Sequence, residues 1–401
     1  MPQDLEIRKR CVALLEKNSV KYGDVVYTRP SSGYYNFLWL WDSCFHTLIW
    51  SYFDINRALQ ELEAIFCGQA PGGMLPHMIC FDKKKKLHRS PTVGEFKLWN
   101  DRGTSNLTQP PVLGFVLWRI YENTKNVKFI ERFFDRTVEY YRALKKERDP
   151  DRDGLISIIH PWESGWDDSP RWDPVYGIKN PSKEDLAGRK LDLMNEYWAT
   201  NWNVAKASFN VESADFNSIY LSSLRSLAKI ANVLNRKEEE EELLKDAEKT
   251  ANAIQKLWHK DGYYDIFGRE EKRIEKKTPA IFFPMFAGVA NKDQADTLIN
   301  VYRNEFFTKY PLPTIVPSDP TFDPDRYWRG TTWINVNWFV IQSFENYGFH
   351  NEAKNIFRKS YELIEKSGFR EYYNPLTGKG LGAKDFCWDT LILDLIKRKR
   401  S

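Results

Sequence analysis

Residues 162–173 read Trp-Glu-Ser-Gly-Trp-Asp-Asp-Ser-Pro-Arg-Trp-Asp. Four carboxylates (Glu163, Asp167, Asp168 and Asp173) and three tryptophans share twelve positions, and Gly165 with Pro170 marks the stretch as loop rather than helix. The flanks behave differently. Apolar residues return every three to four positions over 127–145 and 190–203, the period of an amphipathic helix. The same alternation of helical segment and long irregular connection runs through the chain, and it decides the fold class: all-α, with elaborated loops on one face.

Working outward, the spacing predicts helices over 4–21, 42–67, 111–121, 127–145, 190–203, 213–234, 238–259, 279–290, 292–303, 328–347, 351–366 and 385–397. No alternating strand pattern intervenes. Long connections fall at 22–41, 68–109, 149–189, 261–278, 309–327 and 369–384, and loops of that length inside a compact domain are usually functional. No low-complexity linker divides the 401 residues, so one domain over 1–401 is expected.

Composition narrows the function. Aromatic residues make up 15%, including 15 Trp, and many Trp stand beside acids, Gly and Asn rather than on apolar stripes. Indole faces next to hydrogen-bonding groups suit sugar rings, which have C–H faces to stack and hydroxyls to satisfy. A net charge of +4 with mixed signs does not suit nucleic acid. The apolar stretch 37–53 is interrupted by Asp42 and His46, so no membrane span is expected. Five scattered Cys without a CxxC pair suggest reduced thiols and a cytoplasmic setting. No cofactor is implied.

A second constellation, residues 370–383, starts with Arg370-Glu371-Tyr372-Tyr373-Asn374-Pro375 and carries three Gly. It is neither GxGxxG nor a Walker A, and no apolar strand precedes it. Two carboxylates in separate aromatic loops meet the demand of glycosidic cleavage, in which one protonates the leaving oxygen and the other activates water or attacks the anomeric carbon. Trp39–Ser43, Asn106–Pro111 and Arg326–Asn335 look like walls of such a site, although Asp42 also suits a helix N-cap. Asp149-Pro150-Asp151-Arg152-Asp153-Gly154 matches half a calcium loop. Its twelfth position is His160 where Glu is needed, so a turn is the better reading. The six His show no metal spacing.

Taken together, "FLWLWDS" at 37–43, "GGMLPH" at 72–77, "TQPP" at 108–111, "ESGWDDSPRWD" at 163–173, "YWRGTTWINVN" at 327–337 and "EYYNPLTGKGLGAKDFCW" at 371–388 resemble the (α/α)6-barrel glycoside hydrolases of family 63, with family 37 trehalases as neighbours. Within family 63 the chain is most similar to the mannosylglycerate and glucosylglycerate hydrolases. Leu107 and Tyr327-Trp328-Arg329 stand where trehalases carry other residues.

The resemblance implies an (α/α)6 toroid and an inverting α-glycosidase acting on a small carbohydrate. It casts Asp167 as general acid, ahead of its rival Asp168, and Glu371 as general base. It places Trp41, Asp42, Gln109, Arg329 and Trp333 around the cleaved sugar. The expected substrate-binding set also takes in Tyr35, Trp39, His77, Trp162, Gly165, Trp166, Arg171, Trp172, Tyr327, Trp328 and Trp388. For a glycerate carboxylate the candidates are Arg89, Lys97, Arg102 and Arg171, with the 82–106 loop as a lid. Alternatives are a trehalase, a general α-glucosidase, or a sugar-binding or epimerising barrel without hydrolysis.

Overall fold

The structure, a computed structural model, describes residues 2–82, 99–201 and 203–398. Among them, twelve helices of seven residues or more carry the architecture: α1 (Pro2–Asn18), α2 (Leu40–Trp50), α3 (Ile55–Phe66), α4 (Leu113–Thr124), α5 (Val127–Arg148), α6 (Lys183–Ala199), α7 (Ala214–Val233), α8 (Lys237–Lys256), α9 (Lys292–Glu305), α10 (Ile334–Asn346), α11 (His350–Ser367) and α12 (Ile392–Arg398).

They divide by burial pattern. Every residue of α2 is buried, as is nearly all of α10 and most of α7. Apolar residues all round a helix mark an inner element. In contrast, α8 buries only a stripe (Leu243, Ala247, Thr250, Ala253, Ile254), and its Glu-rich face meets solvent. The inner elements pack in sequence: α2 on α4, α4 on α7, α7 on the turn Phe283–Phe286, that turn on α10, α10 on the 3-10 segment Cys387–Leu391, and that segment back on α2. Outside them, α3 packs on α2, α5 on α4, α8 on α7, and α11 on α10. One hydrophobic cluster runs from Ile7 to Leu395. Among the described residues, no helix is long and apolar enough to cross a membrane.

Three expectations are corrected. The helix predicted over 42–67 is two, because Asp54 caps α3 by accepting from the Asn56 and Arg57 amides at 2.9 and 3.3 Å. The helix predicted over 328–347 begins only at Ile334, because Thr332 is held extended between Pro313 and Tyr373. Strands are also present: β1 (Ser19–Tyr22), β2 (Val25–Thr28), β3 (Leu38–Trp39), β4 (Met78–Ile79), β5 (Val211–Glu212), β6 (Trp258–His259), β7 (Gly262–Tyr263), β8 (Asp265–Phe267), β9 (Lys272–Ile274), β10 (Arg370–Tyr373) and β11 (Gly380–Lys384). They form small antiparallel sheets, β1–β2, β3–β4, β5–β8–β9, β6–β7 and β10–β11, within the long loops. Two of these position the site: β3 leads straight into α2, and β10 carries Glu371.

Candidate active site

Asp167 emerges from a loop held at many points. A helical turn, Pro161–Ser164, is capped by the His160 side chain, whose Nδ1 accepts from the Trp162 amide at 3.2 Å. Gly165 ends that turn at φ 73°, and a Cβ there would lie 2.5 Å from the Trp41 indole, so only glycine permits the close approach. Of the four carboxylates in this segment, three are spoken for. Glu163 is fully buried, accepts from the Thr108 and Ile159 amides at 3.0 and 2.9 Å, and pairs with Arg148 at 2.8 Å. Asp173 takes both arms of Arg329, at 3.0 and 2.6 Å. Asp168 pairs with Lys190 at 2.6 Å.

Asp167 is different. The Tyr327 hydroxyl stands 3.5 Å from its Oδ2, and burial pushes its carboxyl up to about 7, against the pull of the Lys190 ammonium and with help from Asp168 and Glu371. A carboxyl so placed keeps its proton near neutrality.

Glu371 reaches the same region from β10. Its Oε1 accepts from the Tyr35 hydroxyl at 2.5 Å and its Oε2 from the Ala383 amide at 2.9 Å. Burial raises its proton affinity, and these two donors, favouring the carboxylate, work in the opposite direction. Asp42, in the first turn of α2, is a third carboxyl here. Burial holds its proton affinity well above the ordinary range, and Glu371 and Asp167 add to the effect. Asp167 and Glu371 act electrostatically on Asp42, Tyr35 and Tyr327, so five groups from distant segments stand close together.

Around them stand the partly exposed rings of Tyr35, Trp39, Trp162 and Tyr327, and the nearly buried Trp41 and Trp388. Gln109 accepts the Trp41 amide at 3.3 Å through Oε1, and the Trp388 indole donates to the Glu371 carbonyl at 3.2 Å. Asp42 Oδ1 and Trp39 Nε1 are buried without a hydrogen-bond partner in the protein. Uncommitted buried polar atoms beside such carboxyls are groups a polyhydroxylated ligand satisfies.

Several expected wall residues lie elsewhere. Trp166, Trp328 and Trp333 stack on one another, with ring centroids 5.1 Å apart for Trp166–Trp328 and 3.5 Å for Trp328–Trp333; Trp333 stacks on Tyr372 at 4.8 Å. Together with Trp172 they are at most 1% exposed, so they buttress the site and offer no face to a sugar. Arg171 is corrected as a carboxylate ligand. Its guanidinium is bidentate to Asp215 at 3.0 Å, also bonds Asp265 at 2.9 Å, and is sandwiched between Trp166 and Trp172. Arg329 is likewise occupied, by Asp173 and the Asp168 carbonyl at 3.2 Å. His77 is fully buried beside Trp39 and Trp162, its Nδ1 2.6 Å from Ser105 Oγ. Burial drives its basicity down to about 3, so the ring is neutral, and its Nε2 is buried without a hydrogen-bond partner in the protein, like Asp42 Oδ1 and Trp39 Nε1. Arg102 turns away to the Gln69 carbonyl at 3.0 Å. Arg89, Lys97 and most of the proposed lid lie outside the described residues. Lys190, overlooked in the sequence because nothing links it to Asp168 across 22 positions, belongs to the site.

A family model, described as a mannosylglycerate hydrolase MGH1-like glycoside hydrolase domain, matches residues 34–388. A mannosylglycerate hydrolase from Thermus thermophilus is 34% identical, over 96% of this chain and 98% of that protein. A glucosylglycerate hydrolase from Mycolicibacterium hassiacum is 26% identical, over 88% of this chain and 90% of that protein. The crystal structure of a GH63 mannosylglycerate hydrolase from Thermus thermophilus with Tris and D-glycerate superposes with a TM-score of 0.87 at 32% identity, covering 97% of this chain and 100% of that one. Family match, whole-length relatives and fold agree: the chain belongs to the MGH1-like glycoside hydrolases and is a hydrolase of glycosidic bonds.

Proposed function

We propose that the protein hydrolyses an α-mannoside or α-glucoside of glycerate with inversion, Asp167 acting as general acid and Glu371 as general base. One observation carries this reading. Burial raises the proton affinity of two neighbouring carboxyls, of Asp167 to about 7, while Glu371 has two close donors that favour its anion and offset part of the rise. Environments that drive two titratable groups apart assign the acid and the base.

In the reaction, Asp167 delivers its proton to the glycosidic oxygen as the bond to the anomeric carbon lengthens. Glu371 takes a proton from a water that attacks that carbon from the opposite face, and the sugar leaves with inverted configuration. Asp42 Oδ1 and Trp39 Nε1 receive sugar hydroxyls, while Trp41 and Trp162 supply the apolar faces. The substrate class rests on the relatives, which are hydrolases of mannosylglycerate and glucosylglycerate. The ring of inner helices that returns to α2 is, in this reading, the inner wall of a single (α/α)6 toroid spanning the chain.

The reading is tested with Asp167→Asn and Glu371→Gln on a panel of mannosylglycerate, glucosylglycerate and trehalose. Each isosteric change is expected to abolish hydrolysis of a glycerate glycoside and to leave the circular dichroism spectrum intact. Near-normal turnover by either variant overturns its assigned role.

A further inference from the structure

The position beside Asp167 is occupied by an ion pair that the reaction does not consume. Asp168 and Lys190 face each other at 2.6 Å, with side chains only 15% and 16% exposed. Both partners are fixed from behind. Arg329 donates to the Asp168 carbonyl at 3.2 Å while gripping Asp173 with both arms. Lys190 lies on α6, whose start is closed by a reciprocal Ser182–Asp185 capping box. Its carbonyl meets the other ring nitrogen of His160, Nε2, at 3.2 Å. Because His160 Nδ1 accepts the Trp162 amide, Nε2 carries the hydrogen and donates to Lys190. That one imidazole ties the backbone of the lysine to the turn that presents Asp167.

We propose that the Lys190–Asp168 pair is a positioning device that sets how tightly Asp167 holds its catalytic proton. It rests on the reading of Asp167 as general acid. As a pair it is close to electroneutral. Split, each half is a full charge beside the acid, weakly screened because both side chains are mostly covered. The ammonium of Lys190 disfavours the protonated acid, and the carboxylate of Asp168 favours it. The other groups facing Asp167 are Glu371 from β10 and the Tyr327 hydroxyl, with Asp42, Tyr35 and Tyr176 coupled to it from their own segments. None of these can substitute for Lys190, because none is a cation. Asp168 thus acts through its neighbour and does not touch the leaving group.

The test is the alkaline limb of kcat/KM against pH on mannosylglycerate or glucosylglycerate, which reports loss of the acid's proton in the free enzyme. Lys190→Met leaves the Asp168 carboxylate alone and moves the limb up by roughly one pH unit. Asp168→Asn leaves the ammonium alone and moves it down by a similar amount. The double variant returns it towards the wild-type position, and Lys190→Arg holds it there. A merely structural pair would lower activity in both single variants without opposite shifts. Unmoved limbs, or limbs moving the same way, overturn the proposal; if Lys190→Met does not fold, Asp168→Asn and Lys190→Arg decide it alone. Asp167→Asn is run alongside: hydrolysis by that variant with an unchanged limb removes the acid assignment itself, a different failure.

Discussion

The Tyr35 hydroxyl donates to Oε1 of Glu371 at 2.5 Å across 336 positions of sequence, tying the segment before α2 to the C-terminal strand β10. It does two things at once. It orients the carboxylate, and it stabilises the anion that a general base must be.

Tyr35→Phe removes that donor and nothing else of similar size. Glu371 then holds a proton more readily, since the lost bond favoured its charged form. The acid limb of the pH–rate profile should move up, and kcat should fall by about tenfold or more. Steady-state kinetics between pH 4 and pH 9 check both effects. An acid limb unchanged from wild type speaks against Tyr35 as the partner of the base.

Stability reports on Asp167 independently of turnover. Its folded-state proton affinity is raised to about 7 from an ordinary 3.8, so the fold binds a proton that the unfolded chain releases. Across that window stability falls as pH rises, and the cost is complete above about 7. Asp167→Asn removes the cost. Its melting temperature should exceed that of the wild type at pH 8, and the advantage should disappear below about pH 4. An equal melting difference at both pH values would show that burial does not hold the proton.

Gly382 sits at φ 61°, and a Cβ there would come within 2.5 Å of both Glu371 Oε2 and the Tyr372 ring. Gly382→Ala therefore pushes the base off its donors. The expected result is a loss of kcat of about a hundredfold or more, since small displacements of a reacting group carry costs of that size. KM should move much less. A crystal structure of the variant with Glu371 undisplaced would remove the explanation.

Arg171 distinguishes support from substrate contact. Removing it leaves Asp215 and Asp265 buried without their cation. Arg171→Met should destabilise the fold by about 3–5 kcal/mol, the usual result of breaking one partner out of a buried ion pair. Urea denaturation measures this. A raised KM at unchanged stability would return Arg171 to the substrate.

How much of this could be read from sequence differs by element. Long amphipathic helices such as Val127–Arg148 were plain because their apolar period runs for several turns. The break at Asp54 was missed although an Asp before Ile55-Asn56 is a capping signal, because apolar spacing runs on across it. Two-residue strands such as Leu38–Trp39 leave no alternation to detect, since their pairing with Met78–Ile79 is a tertiary fact. The acidic, aromatic loops at 162–173 and 370–383 are legible by composition, but singling out Asp167 and Glu371 within them rests on the resemblance to family 63. The tryptophans were over-read: Trp328 and Trp333 look identical in sequence to Trp39, and only packing separates a stacked buttress from a cavity wall. Arg171 likewise looks available until Asp215 and Asp265 arrive from other elements.

Whether Asp167 and Glu371 act on opposite faces of the anomeric carbon is read by proton NMR of the first sugar released from α-mannosylglycerate or α-glucosylglycerate. With inversion the β-anomer appears first, and the α-anomer grows in only by mutarotation. Release of the α-anomer first would mean retention, with Glu371 attacking the anomeric carbon itself, and would contradict its role as general base.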